Sequence, residues 1–140
     1  MATQEQIVDT LASLAIFADL TRPELESVSH IFEEQYFPQD QRVLRQGISG
    51  SAFYVVLEGE AAAVADGRRV NTLARGDVFG EISVLLGEPP SADIVAVRPL
   101  RCLIIAGDKL EPFLVSHPKV CYRILQAEAR KLRNATRSPS

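Results

Sequence analysis

Residues 76–93 read GDVFGEISVLLGEPPSAD, and this stretch decides the fold. Gly76-Asp77 is one turn signal and Gly87-Glu88-Pro89-Pro90 is another. Between them, Phe79-Gly80 leads into Glu81–Leu86, a run too short for an ordinary helix but suited to one or two helical turns. The segments on either side are short apolar runs punctuated by turn residues. The pattern predicts a small helix, opened by a glycine, held inside a β framework.

Working outward, residues 36–107 read as strands and turns. Strands are expected at Arg42–Arg45, Ala52–Leu57, Glu60–Ala65, Arg68–Leu73, Asp93–Val97 and Leu100–Ala106. Turns are expected at Gln46-Gly47, Ile48–Ser51, Glu58-Gly59, Arg75–Asp77 and Arg98-Pro99, with Asp66-Gly67 the strongest hairpin signal. A roll of about eight short strands follows, a sandwich or barrel rather than alternating βα units. Residues 1–35 form a helical segment of the same domain. Ile7, Leu11, Leu14 and Ile16 recur at helical spacing, and Thr21 with Glu24 makes a capping box ahead of a stripe of Leu25, Val28, Ile31 and Phe32. Residues 108–135 are helical again. Asp108 is read as the cap of a helix through Leu114, with Glu111 at its capping-box position. His117-Pro118 breaks that helix, and a longer one runs over Lys119–Arg133. Residues 136–140 are expected to be a disordered tail. The fold class is thus mainly β with flanking helices, in one domain of 140 residues.

Composition narrows the function. Hydrophobic residues make up 46% and charged residues 24%, as in a folded globular chain. The net charge of −3 argues against a coat for nucleic acid, and no direct DNA binding is expected. Six basic residues from Lys119 onward face the lone Glu128, leaving the rest of the chain acidic. That basic end reads plainly as a solvated helix face suited to the helix dipole, and more sharply as a surface for an acidic partner. Cys102 and Cys121 both read as buried free thiols. Met1–Gln6 lacks the pattern of a secretory leader and no apolar run is long enough for a bilayer, so the expected setting is the cytoplasm, away from membranes.

Catalysis has no support. His30 and His117 stand alone, without metal-ligand spacing, so no metal site is expected. No serine has a nucleophile-elbow setting, and Glu33-Glu34 reads as a solvated helix exit. Binding is different. Gly80 at a helix start lets backbone and ligand approach closely, and the first helical amides favour an anion. Glu81 can accept hydrogen bonds from a sugar hydroxyl, and Ser91 can donate one from the far side of the insertion. A plain surface turn with Glu81 capping the helix dipole stands beside that reading.

The residues 16–21 (IFADLT), Gln46-Gly47, the run 53–59 (FYVVLEG) and 76–82 (GDVFGEI) resemble, in order, the cyclic nucleotide-binding domain of bacterial catabolite activators and of protein kinase A regulatory subunits. The resemblance covers about Leu14 to Leu132 and implies a β-roll with C-terminal helices. It implies that Gly80 and Ile82 offer amides, that Glu81 takes a ribose 2′-hydroxyl, and that Ser83, Ser91 and Ala92 line a phosphate-binding cassette. The family arginine of that cassette falls on Pro90, which has neither charge nor donor. Removing such a partner from a desolvated anion typically costs about 2–5 kcal/mol. Asp93 adds a negative charge nearby, and Arg68, Arg69, Arg75 or Arg98 are the candidates to compensate.

The resemblance therefore implies a stand-alone regulatory sensor for cAMP or cGMP, with no cofactor and no effector domain attached. The alternative is a degenerate module that binds a protein effector or a different ligand. The last helix is expected to form a homodimer. Cys121, Leu125, Ala129 and Leu132 mark one face, which packs at least partly on the roll, while Val120, Ile124 and Ala127 widen the apolar arc.

Overall fold

The computed structural model describes residues 2–48 and 51–137. Residues 49–50 of the expected turn and 138–140 of the expected tail lie outside the described residues. Helices α1 (Gln4–Ala12) and α2 (Arg22–Val28) each open with a reciprocal capping box, Thr3 with Gln6 and Thr21 with Glu24. Each box satisfies two amides that would otherwise lack partners. Helix α1 buries Ile7, Val8 and Leu11. Leu14 and Ile16 fall past its end, around a 3₁₀ turn at Ala15–Phe17, yet both are buried.

The expected helical stripe through Phe32 is corrected. Helix α2 stops at Val28, a 3₁₀ turn covers Ser29–Ile31, and strand β1 occupies Phe32–Phe37. Glu33-Glu34 is therefore strand, not a helix exit, and Glu34 pairs with Arg101. The reason is a distant partner. Residues Phe32 to Phe37 pair antiparallel with Ile105 to Leu100, and that ladder overrides the local helical spacing.

The remaining strands are β2 (Arg42–Leu44), β3 (Ala52–Glu58), β4 (Ala61–Ala65), β5 (Arg68–Leu73), β6 (Val78–Phe79), β7 (Asp93–Ala96) and β8 (Leu100–Ala106). The inserted helix is α3 (Glu81–Leu86). Two four-stranded antiparallel sheets result, ordered β1-β8-β3-β6 and β2-β7-β4-β5. Between them lies one core, with Phe37, Val56, Leu73, Phe79, Ile94 and Leu100. A second core sits where the helices cover the outer face of the first sheet, with Leu11, Phe17, Phe53, Val55, Leu57 and Leu103.

Helix α4 (Gly107–Ser116) begins two residues earlier than a cap at Asp108 would place it. Its cap is Ala106, which makes no side-chain hydrogen bond, because β8 stays paired as far as Ala106↔Ala52. Asp108 lies inside the first turn instead, where its charge still suits the dipole. Helix α5 runs over Pro118–Arg137, so residues 136–137 are helical rather than tail. Its orientation reverses the expected one. Val120 and Ile124 are buried in the helical core, whereas Tyr122, Leu125 and Leu132 are each more than 60% exposed. Cys121 is exposed, not buried, while Cys102 is buried as expected. Among the described residues no helix is long and apolar enough to cross a membrane.

Three phenylalanines join the N-terminal helices, the roll and α4. Phe17 meets Phe32 edge-on at 5.6 Å and Phe113 at 6.2 Å, and Phe32 meets Phe113 at 5.6 Å. Phe17→Ala should therefore destabilise the domain by about 3–5 kcal/mol. Urea unfolding checks this, and an unchanged midpoint would show that the joint carries no weight.

Candidate functional site

A cavity of about 340 Å³ opens between β4, β5, α3, the segment after α3 and α5. All six residues singled out from the sequence, Gly80, Glu81, Ile82, Ser83, Ser91 and Ala92, line it. Its wall is largely apolar, with side chains such as Leu44, Ala63, Leu73 and Ile94. Among the described residues no cluster of His, Cys, Asp and Glu could hold a metal ion.

The site is built from the end of β6. Phe79 stacks on Tyr54 with ring centres 4.5 Å apart, which anchors the strand just before the chain turns. Gly80 then takes a left-handed conformation, φ +84°, and a Cβ there would collide with the Ala52 carbonyl oxygen. Only glycine fits both requirements. Helix α3 follows and closes at Gly87, and the Ser83 hydroxyl donates to the Glu88 carbonyl at 2.6 Å. With six residues, α3 has too short a dipole to carry an anion site alone.

Glu81 is the unusual member. Its side chain is buried, and Oε1 lies 3.5 Å from the Lys131 ammonium of α5. Oε2 is buried with no hydrogen-bond partner among the described residues. Burial pushes the Glu81 carboxyl above the ordinary carboxylate range, against the downward pull of Lys131. Lys131 is itself occupied. Its Nζ donates to the Val78 carbonyl at 2.8 Å and stands 3.5 Å from Glu128 Oε1.

Glu81, Glu128 and Lys131 are the titratable residues of the described lining. Pro90 lines the cavity at the position where the resemblance calls for arginine, and its carbonyl accepts from the Gly47 amide at 2.9 Å. None of the four candidate arginines lines the cavity. Arg69 lies 3.5 Å from Glu60, and Arg75 donates to the Leu57 carbonyl and the Ser13 hydroxyl. Asp93 does not line the cavity either. Its carboxylate accepts from the Gln46 amide at 2.7 Å and sits 3.6 Å from Arg42. Its charge ties β7 to the β2 end of the roll.

Sequence reasoning missed Lys131. The signal was present, since Lys131 continues the face of Val120, Ile124 and Ala127 at i, i+4, i+7 and i+11, and that face points inward. Opposite choices of face on α5 give opposite assignments for every residue on it.

The domain is thus a two-sheet roll with a glycine-entered helix beside an open-mouthed cavity. Residues 34–117, more than half of the chain, match the family described as cyclic nucleotide-binding domain. The chain belongs to that family of regulatory, non-catalytic domains. It is 32% identical over 119 residues to a cGMP-dependent protein kinase of Eimeria tenella, covering 85% of this chain and 12% of the kinase. The chain thus spans about an eighth of that relative. In fold it is similar to the catabolite activator protein of Thermus thermophilus, with 28% identity and a TM-score of 0.73 over 86% of this chain and 59% of that one. A cyclic nucleotide-binding domain from Methylobacillus flagellatus aligns with a TM-score of 0.77 and 24% identity, covering 94% and 79% of the two chains.

A carboxyl whose folded pKa is raised binds its proton more tightly in the folded state. Its contribution to stability is full below the ordinary value of about 4.5 and is lost as pH rises through the elevated folded value. Asp19 and Glu24 are shifted down and act in the opposite sense, so the comparison must isolate Glu81. Relative to Glu81→Gln, the wild type should lose stability as pH rises from about 4.5 toward neutrality. Parallel pH profiles of the two unfolding curves would contradict this.

Proposed function

We propose that this domain is a regulatory sensor whose cavity takes a cyclic nucleotide, cAMP or cGMP, and whose helix α5 responds to occupancy. The observation that carries the reading is the divided use of Glu81. One carboxylate oxygen faces Lys131 on α5, and the other is buried without a partner in a residue that lines the cavity. A buried acceptor left unpaired is costly, and a ligand hydroxyl relieves it. Gly80, Ile82, Ser83, Ser91 and Ala92 complete the contact surface around that carboxylate. Family membership supports the same ligand class.

Pro90 favours a second reading, a degenerate cassette that takes a different ligand or a protein effector. The two readings differ in what a restored guanidinium does. Pro90 faces the cavity, so Pro90→Arg should raise affinity for cAMP and cGMP by roughly tenfold or more at fixed salt. Calorimetry on both proteins decides the matter. If neither protein binds either nucleotide while both stay folded, the cyclic nucleotide reading is sunk; equal binding by both shows that the cavity needs no guanidinium at residue 90.

The outer face of α5 supports a homodimer. Tyr122, Leu125, Ala129 and Leu132 follow a 3-4-3 spacing and are exposed, as in the seam of a two-stranded coiled coil. Glu128 and Arg133 flank the seam five residues apart, the spacing that pairs g and e′ positions across a parallel two-fold. Sedimentation equilibrium should give a dimer that Leu125→Glu dissociates. A 15.4 kDa species at every concentration would overturn the assembly.

A further inference from the structure

The charge on the cavity wall separates ligands that its size does not. On the reading that this cavity is the sensor's ligand site, we propose that it prefers an uncharged ribose-bearing ligand, a nucleoside, to the singly anionic 3′,5′-cyclic nucleotide of the same base. The described lining holds two carboxylates, Glu81 and Glu128, and one ammonium, Lys131. That ammonium already meets Glu81, Glu128 and the Val78 carbonyl. It donates to the Val78 carbonyl and to Glu128 and is ion-paired with Glu81, so its charge already faces acceptors of the protein. Pro90 supplies neither a charge nor a donor at the rim.

A cyclic phosphate entering this cavity sheds its water beside a net negative wall. It is an acceptor, and the orphan Glu81 Oε2 needs a donor. Hydroxyls are donors, and here the two ligand forms differ chemically. Ring closure through phosphate consumes the 3′- and 5′-hydroxyls and leaves only the 2′-hydroxyl. A nucleoside keeps all three, including the vicinal 2′,3′-pair. The apolar walls at Leu73 and Ile94 suit the flat base of either form, and a volume of about 340 Å³ lies in the range of small-ligand pockets. The elevated proton affinity of Glu81 agrees with a group that has lost its water and gained no ligand.

The test is a calorimetric titration of the full chain with adenosine, guanosine, cAMP and cGMP at low and high salt. Each nucleoside should bind roughly tenfold or more tightly than its cyclic nucleotide. The gap should narrow at high salt, because the repulsion is screened. Glu128→Gln should also narrow it by removing a like charge from the wall. The 2′-deoxynucleosides should bind roughly tenfold more weakly than their parents. Glu81→Gln, with its fold checked by urea unfolding, should weaken nucleoside binding similarly. Cyclic nucleotides that bind as tightly as their nucleosides overturn this inference and leave the sensor reading intact. A nucleoside whose affinity survives both the deoxy change and Glu81→Gln overturns it too, because the ligand is then not held at Glu81. If none of the four ligands binds, both readings fall together.

Discussion

Strand β3 has no solvent face, and the rest of the domain is arranged around that fact. Phe53, Val55 and Leu57 point into the helical core, while Val56 points into the roll. Its neighbour β8 is divided the same way, with Leu103 and Ile105 on one side and Leu100 and Cys102 on the other. The two cores therefore share a wall of backbone whose polar groups are satisfied only by the ladder. Dryness there is extreme enough that burial pushes the Cys102 thiol up to about 12. The same sheet ends at β6, so the wall also delivers Phe79, Gly80 and Glu81 to the cavity in fixed register.

Glu81 links that wall to α5. A carboxylate taken out of water is costly, and a single lysine at 3.5 Å, shared with another carboxylate and a carbonyl, offsets only part of the cost. The strain sits between the two elements most suited to respond to a ligand, a six-residue helix and the terminal helix of the domain. Any group that satisfies the second oxygen of Glu81 changes the environment of Lys131, and any displacement of α5 changes the environment of Glu81. Such linkage is reciprocal by thermodynamic necessity.

Helix α5 carries an apolar arc wider than its own domain covers. Val120 and Ile124 belong to the helical core, and Arg123 braces the first turns of the helix against Asp19 with contacts at 2.7 and 3.2 Å. The opposite apolar residues are left outward. Leu132 belongs to both regions, since it is exposed and lines the cavity mouth.

Much of this was legible in the residues themselves. Gly-rich turns, the Asp66-Gly67 hairpin, the Thr21–Glu24 box and the short run Glu81–Leu86 encode their structure locally, through φ preference and capping, and the elements formed there. The six cavity residues were legible because they sit together around one helix and one loop. Local signals failed where two local readings competed. Phe32-Glu33-Glu34 suits a helix until β8 arrives to pair with it, and Asp108 suits a cap until β8 runs on to Ala106. The face that α5 buries, the fate of Asp93 and the partner of Glu81 depend on groups far away in the chain. Residue type and spacing determined the β-roll and its inserted helix. Long-range packing decided that Lys131 turns inward onto Glu81 and leaves its second oxygen bare, because a helix with an apolar arc this wide acquires its inner face only from the surface it meets.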